Sequence, residues 1–284
     1  MSPARRLRFG FSPCPNDTFA FWAAVHGEVA DEVAFEPVMA DIEALNERAV
    51  SRSEPLEVTK LSLPALARCV DDYTVLASGA ALGFGCGPLV VSRAPRASLD
   101  RFSELRVAVP GVHTTAHLLM ASLLPAPAQV VPMRFDEVMP AVARGDCDAG
   151  LVIHESRFTY RDHGLRELAD LGERWEAETG GPLPLGVIAA RRDLAPATID
   201  AVERCLGASV RFAMAAPDRP LPWIRAHAQE LDDDVCARHI ALYVNDFSVD
   251  LGEVGRAAVD ELLRRGREAG LLPAGRGAFR EARR

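Results

Sequence analysis

His154 is the residue of this 284-residue chain with the clearest potential for acid–base chemistry. It follows the short apolar stretch 150–153, which is typical of a buried strand, and it precedes the polar stretch 155–157. In a parallel sheet that is covered on both faces, the carboxyl ends of the strands face the ligand crevice. An imidazole placed there titrates near neutral pH and can move a proton. The alternative is a hydrogen-bonded histidine in an ordinary loop.

Lys60 is the single lysine among 32 basic residues, which indicates a position where a compact ammonium is preferred to a guanidinium, although chance can also leave one lysine. Residues 56–60 are predicted as a strand, and residues 65–70 as a helix with Pro64 in its first turn. Lys60 and Ser62 would then lie at a strand-to-helix junction. A cation beside free helix N–H groups favours a bound carboxylate.

Asp17 lies at a similar junction near the start of the chain. Residues 7–11 are predicted as a strand, and a turn containing two prolines separates them from a helix that includes residues 19–25. Asn16, Asp17 and Thr18 have side chains suited to the helix N-cap. Asp17 could therefore face a ligand at the strand end, and helix capping alone is the alternative.

A third junction contains Thr115 and Ala116. Residues 106–110 are predicted as a strand, and Gly111 begins a loop that leads into a helix ending near residue 124. Glycine permits a close backbone approach, threonine supplies a hydroxyl, and the first N–H groups of a helix are unpaired. This pattern predicts a second clamp for a polar ligand, with helix capping by threonine as the alternative.

The order of these elements predicts an α/β fold with two lobes. Strands and helices alternate along both halves of the chain. Residues 89–92 and 184–191 have similar strand patterns and are predicted to cross between the lobes. The first lobe would then contain residues 1–92 and 187–284, with a helical C-terminal part, and the second lobe residues 93–186.

Composition and charge narrow the class of partner to a small molecule. The net charge of -8 and the pI of about 5.4 argue against a nucleic-acid footprint. No stretch reaches the roughly 18 apolar residues of a membrane span, and no signal-peptide pattern opens the chain. We therefore expect a cytoplasmic protein that contacts neither nucleic acid nor membrane, and the oligomeric state stays open.

The cysteines and histidines do not predict a metal site. The six cysteines lack C-x-x-C pairs, and the seven histidines form no H-E-x-x-H or comparable cluster. The glycine-rich stretch 79–88 lacks the order of a dinucleotide fingerprint, since a strand follows it. We expect neither a metal nor an organic cofactor.

Four sequence blocks, which span residues 12–19, 59–62, 111–116 and 154–160, occur in a fixed order along the chain. Together with Tyr243-Val244-Asn245 and Phe247-Ser248, they resemble the 1,4-dihydroxy-6-naphthoate synthases of the futalosine menaquinone pathway. The likeness extends from residue 7 to about residue 270.

The resemblance implies a two-lobe fold like the type II periplasmic binding proteins, with two crossing hinge strands and the ligand in the cleft. It also implies a reaction in which cyclic dehypoxanthinyl futalosine is split to 1,4-dihydroxy-6-naphthoate and a three-carbon fragment. By the same resemblance, His154 is the proton acceptor and Asp17 lies beside it. The substrate-binding residues implied in this way are Lys60, Leu61, Ser62, Thr115 and Ala116.

Three other functions are weighed against this one. A solute-binding protein would share the fold but usually carries an export signal or lipid anchor, which we do not find in this sequence. Chorismate dehydratase of the same pathway is expected to share the fold, and blocks 12–18 and 154–160 favour the synthase over it. A Ser/Cys hydrolase would need a nucleophile elbow, and we see none.

Overall fold

The structure, a computed structural model, describes residues 5–29, 32–93, 97–228 and 232–280. In these ranges the strands in chain order are β1 (Arg5–Phe11), β2 (Val33–Met39), β3 (Val58–Ser62), β4 (Tyr73–Val75), β5 (Ala81–Gly83), β6 (Leu89–Ser92), β7 (Arg106–Val109), β8 (Gln129–Pro132), β9 (Ala149–Val152), β10 (Arg166–Asp170) and β11 (Leu183–Arg191).

The helices described in the same ranges are α1 (Pro15–Val25), α2 (Ile42–Val50), α3 (Leu63–Arg68), α4 (Thr115–Leu123), α5 (Phe135–Arg144), α6 (Ser156–Thr159), α7 (Leu171–Thr179), α8 (Pro196–Ala215), α9 (Leu221–His227), α10 (Asp233–Tyr243), α11 (Asp246–Val249) and α12 (Gly252–Glu268). A 3₁₀ helix covers Leu99–Glu104. None of these helices combines the length and apolar character that crossing a lipid bilayer requires.

The described strands form two mixed sheets. The first has the order β2-β1-β3-β11-β4, and β5 also pairs with β11. In this sheet β1 is parallel to β2 and β3, and β11 is antiparallel to β3. The second has the order β10-β6-β9-β7-β8, with β7 parallel to β8 and β9 and β6 antiparallel to β9 and β10. Both sheets therefore mix parallel and antiparallel pairs.

The chain passes between the sheets twice, between β5 and β6 and again between β10 and β11. The predicted division into residues 1–92 with 187–284 and residues 93–186 remains a prediction. Strand pairing places β6 in the second sheet rather than with the first lobe, because its backbone partners are β9 and β10.

The first sheet is held by an aromatic core. The Phe9 ring lies 4.9 Å from the rings of both Phe11 and Phe21, and all three side chains are fully buried. Burial of each such side chain contributes roughly 1.5–3 kcal/mol. α1 carries Phe21 and is buried along nearly its whole length, since it packs against α8, α9 and α10. The loop before α1 is therefore held at the C-terminal end of β1.

In the second sheet, Gly150 allows helix α5 to lie close against β9. A Cβ atom at this position would be 2.7 Å from methyl groups of both Val138 and Val142, which is closer than real contacts allow. Because β9 ends two residues before His154, this packing fixes where the histidine enters the space between the sheets.

Several predicted elements have other bounds in the structure, such as the helix predicted at residues 65–70, which lies at Leu63–Arg68. The strand predicted at residues 56–60 lies at Val58–Ser62, because its ends are set by pairing with Gly186–Ala190 of β11 rather than by local pattern. The helix predicted to follow an Asn16, Asp17 or Thr18 cap begins at Pro15, with Cys14 as its N-cap residue and no side-chain cap hydrogen bond.

Candidate active site

A cleft between the two sheets contains five of the seven residues predicted for the site. It encloses about 580 Å³ of empty space, part of which is open to solvent. The predicted residues on its wall are Lys60, Ser62, Thr115, Ala116 and His154. The other two, Asp17 and Leu61, lie behind the wall, with 2% and 0% of their surface exposed. The assignment of roles to these residues remains a prediction.

His154 is held in an unusual backbone conformation. Its φ angle is 55°, in the left-handed region that non-glycine residues seldom adopt. Such conformations cost roughly 1–3 kcal/mol and are found where the surrounding structure enforces them. The ring packs edge-on against Phe135, with centroids 5.0 Å apart. The chain therefore turns sharply after β9 and directs a half-buried imidazole to the cleft.

The surroundings of His154 keep it neutral at pH 7. Burial lowers the pKa of His154 to about 4, and the positive charge of Lys60 acts in the same direction, against the opposing effect of Glu155. A neutral imidazole has a free lone pair, so His154 is ready to accept a proton. Burial, with the charge of Glu155, raises the pKa of the Cys14 thiol well above its usual range, which argues against a thiolate nucleophile.

Cys14, His154 and Glu155 form one group of potential metal ligands. One donor atom from each lies within 4.8 Å of the others. A metal would need the thiolate of Cys14, and the raised pKa of that thiol works against this form. The prediction that the protein uses no metal stays a prediction.

Glu155 and His239 form a buried polar contact next to His154. Nδ1 of His239 lies 3.4 Å from Oε1 of Glu155, and the two side chains are 1% and 9% exposed. Burial alone would raise the pKa of Glu155, but its contacts with His239 and His154 outweigh this and lower it. Glu155 is therefore a carboxylate. Because His239 lies on α10 and Glu155 follows β9, the contact joins elements that are distant in sequence.

Asp17 is the centre of a second buried cluster. Its Oδ2 accepts hydrogen bonds from the backbone N–H of Ser12 at 3.0 Å and from the Ser12 hydroxyl at 2.6 Å. Its Oδ1 accepts from Asn16 Nδ2 at 2.9 Å and forms an ion pair with the Lys60 ammonium. The carboxylate does not cap α1. It stabilises the loop before the helix, because Ser12 and Asn16 both donate to it. Cys14 and Glu155 each have a donor atom within 4.8 Å of His154, and the predicted place of Asp17 beside His154 stays a prediction.

Strand β3 explains the different positions of Lys60, Leu61 and Ser62. Successive side chains of a strand point to opposite faces, so Lys60 and Ser62 face the cleft and Leu61 enters the core. Lys60 lies in the middle of the strand instead of at its end. Ser62 occupies the N-cap position of α3 but makes no cap bond. Its backbone N–H donates to Asn46 Oδ1 at 2.9 Å, and its hydroxyl accepts from Asn46 Nδ2 at 3.1 Å.

Thr115 and Ala116 are the first residues of α4. The hydroxyl of Thr115 donates to the Leu185 carbonyl at 2.7 Å and accepts from the Leu63 N–H at 3.2 Å. The predicted hydroxyl contact with a ligand is therefore already used within the protein. The first N–H groups of a helix have no partner inside it, so these two residues offer amide donors at the positive end of the helix dipole. Thr114 caps the helix by accepting from His117 N–H at 3.2 Å.

Sequence reasoning missed several polar residues of the site, among them Asn16 and His239 on the wall and Glu155 and Asn46 behind it. Glu155 could have been found, since it adjoins His154. His239 gave no local signal, because a histidine within a helix is usually part of a surface or core face.

Two curated proteins match nearly the whole chain. The sequence fits a family described as "Menaquinone biosynthesis" over residues 7–268. A Thermus thermophilus protein named "1,4-dihydroxy-6-naphtoate synthase" is 51% identical over 265 residues, which is 93% of this chain and 95% of the relative. A Streptomyces coelicolor protein of the same name is 47% identical over 276 residues, covering 95% and 96%.

Solved structures share the fold. A crystal structure of an Archaeoglobus fulgidus protein has a TM-score of 0.87 at 35% identity and covers 94% of this chain and 98% of that chain. The periplasmic aliphatic sulphonate binding protein SsuA of Escherichia coli has a TM-score of 0.64 at 14% identity, with coverages of 99% and 95%. The second likeness concerns the fold alone. Together they confirm the predicted α/β fold of the periplasmic binding protein type.

Proposed function

The chain belongs to the menaquinone biosynthesis family, and from this we infer that it is a 1,4-dihydroxy-6-naphthoate synthase. The proposed reaction splits cyclic dehypoxanthinyl futalosine into 1,4-dihydroxy-6-naphthoate and a three-carbon fragment, as a carbon–carbon lyase. The observation that carries this proposal is a neutral, half-buried imidazole, His154, on the wall of the cleft.

In the proposed mechanism His154 removes a proton from the carbocyclic part of the substrate. A carbon–carbon bond of the sugar-derived ring then breaks, and aromatisation of the naphthalene drives the step. A well-placed general base contributes roughly 10²–10⁴-fold to the rate. Glu155, ionised and close to the ring, would stabilise the imidazolium that forms, because opposite charges attract strongly at a buried site.

Asp17 is proposed to act through Lys60. Its carboxylate holds the ammonium, while Ser12 and Asn16 hold the carboxylate. A lysine side chain has many rotamers, and a buried partner removes that freedom. Asp17 would therefore position Lys60 for a substrate group and has no direct exchange with His154 in this scheme.

The substrate carboxylate is proposed to bind between Lys60 and the start of α4. Thr115 and Ala116 supply unpaired amide N–H groups, and the helix dipole favours an anion there. Both residues and Lys60 line the same cleft. The binding of an anion at this end would leave the rest of the substrate facing His154.

The test is incubation of the purified protein with cyclic dehypoxanthinyl futalosine, followed by detection of the naphthoate chromophore. Product formation supports the proposal. Product from chorismate instead would assign the protein to chorismate dehydratase. Tight binding of a small carboxylate with no turnover of either compound would identify a binding protein.

His154→Ala tests the assigned base in the same assay. We expect turnover to fall by at least about 10²–10⁴-fold, because the general base is lost, while substrate still binds. Calorimetry measures binding and the chromophore measures turnover. Near-wild-type turnover would contradict the assignment of His154 as the general base.

A further inference from the structure

Two side chains on the cleft wall each contain a buried polar atom that faces no hydrogen-bond partner. Among the described residues these atoms are Oδ1 of Asn16 and Nε2 of His239, and the two residues are only 5% and 0% exposed. Both residues line the cleft. A buried polar atom without a partner costs roughly 1–3 kcal/mol. A ligand in the cleft that supplied these partners would recover that cost.

The orientation of the Asn16 amide follows from its neighbour. Nδ2 donates to Asp17 Oδ1 at 2.9 Å, and a carboxylate can only accept hydrogen bonds. Rotating the amide would place its oxygen against the carboxylate oxygen. The NH₂ group is therefore committed to Asp17, and the carbonyl oxygen of Asn16 is left as an acceptor that requires a ligand donor.

The orientation of His239 follows in the same way. Its Nδ1 lies 3.4 Å from Oε1 of Glu155, an acceptor-only carboxylate, so the proton belongs on Nδ1. Nε2 then accepts a hydrogen bond when the ring is neutral and donates one when it is charged. A hydroxyl can partner either form, since it both donates and accepts.

Charge favours a hydroxyl over a carboxylate as the ligand group that binds Asn16 and His239. A ligand carboxylate at Asn16 would meet a carbonyl oxygen, and at His239 it would lie close to the ionised Glu155. Neutral hydroxyls meet no such repulsion.

We propose that Asn16 and His239 bind hydroxyl groups of the sugar-derived part of the substrate. This inference rests on the proposed function and adds an orientation to it. The hydroxylated ring would lie against α1 and α10, and His154 would approach it from the side of β9. The carboxylate end would lie toward Lys60 and α4.

The experiment measures binding of cyclic dehypoxanthinyl futalosine by calorimetry in the non-reacting His154→Ala background. Adding Asn16→Ala or His239→Leu should weaken binding about tenfold or more, because each removes one hydrogen bond to the substrate. His239→Gln keeps a polar atom near the position of Nε2 and should lose no more than about threefold. Thermal unfolding of each variant without ligand shows that it is folded.

Ser92→Ala is the matched control. The Ser92 hydroxyl is also buried without a partner, but it lies in β6 and does not line the cleft. Its removal should leave the affinity unchanged. If Asn16→Ala and His239→Leu fold and bind as tightly as the background protein, the inference is overturned. Loss of affinity in Ser92→Ala equal to theirs would overturn it too.

The outcomes also separate this inference from the proposed function. Turnover by the wild-type protein tests the function alone. Binding that depends on Asn16 and His239 without wild-type turnover would keep the inference and reject the function. Wild-type turnover, with an affinity that neither substitution changes, would keep the function and reject the inference. The absence of any substrate binding would reject both the function and the inference.

Discussion

At the scale of single residues, the site depends on the protonation of His154. An unperturbed histidine titrates near pH 6.5 and would be partly charged at neutral pH. Burial and the charge of Lys60 favour the neutral form here, and Glu155 opposes them. The left-handed backbone at φ 55° is the local cost of bringing this ring to the cleft. The result is a base that is neutral at pH 7, with one ring nitrogen unprotonated.

The pH dependence of catalysis follows from this shift. Because the pKa of His154 is lowered to about 4, its base form persists as pH falls and is lost only near that value. The acid limb of kcat/KM, which reports the free enzyme, should therefore lie near pH 4 rather than near 6.5. Glu155→Gln removes a charge that raises this pKa, so its limb should move to still lower pH. A wild-type limb near 6.5 would contradict the assignment.

At the scale of elements, α1 and β3 are joined by the Asp17–Lys60 pair. Both side chains are nearly fully buried, at 2% and 6% exposure. Removal of one partner from a buried pair leaves an uncompensated charge, while removal of both can be nearly neutral. The pair thus fixes the loop before α1 against the middle of β3, and its energetics can be measured separately from catalysis.

Asp17→Asn should lower the free energy of unfolding by about 3–5 kcal/mol, because Lys60 stays buried without its counter-charge. Adding Lys60→Met should recover a large part of that loss. Urea unfolding of the wild type, both single variants and the double variant gives the coupling energy. Strictly additive effects would show that the two side chains do not interact.

At the scale of the whole molecule, polar contacts join the two sheets around the cleft. Glu43 of α2 accepts from the His113 N–H at 2.8 Å, and a Cβ at Gly111 would lie 2.3 Å from Glu43 Cδ. The Thr115 hydroxyl connects α4 to Leu185 and Leu63. These contacts set the separation of the two walls and therefore the width of the cleft.

Thr115→Val tests this bridge. The isosteric change leaves the Leu185 carbonyl and the Leu63 N–H without their partner, so the free energy of unfolding should fall by roughly 1–3 kcal/mol. KM should rise as well, since the amides of α4 lose their fixed position. Thr115→Ser keeps the hydroxyl and should stay closer to wild type in urea unfolding and in KM. Wild-type stability and KM in Thr115→Val would show that the bridge is unimportant.

The sequence by itself determined the α/β fold, the family, and the placement of His154 after a buried strand. These depend on local periodicity and on short blocks of fixed order, and both are properties of residues that are close together along the chain. The tertiary structure decided that Lys60 lies mid-strand, that Asp17 braces a loop, that the Thr115 hydroxyl is already bonded, and that His239 meets Glu155. Such pairings depend on how distant elements pack, because a hydrogen-bond partner is chosen by position in space and not by spacing along the chain.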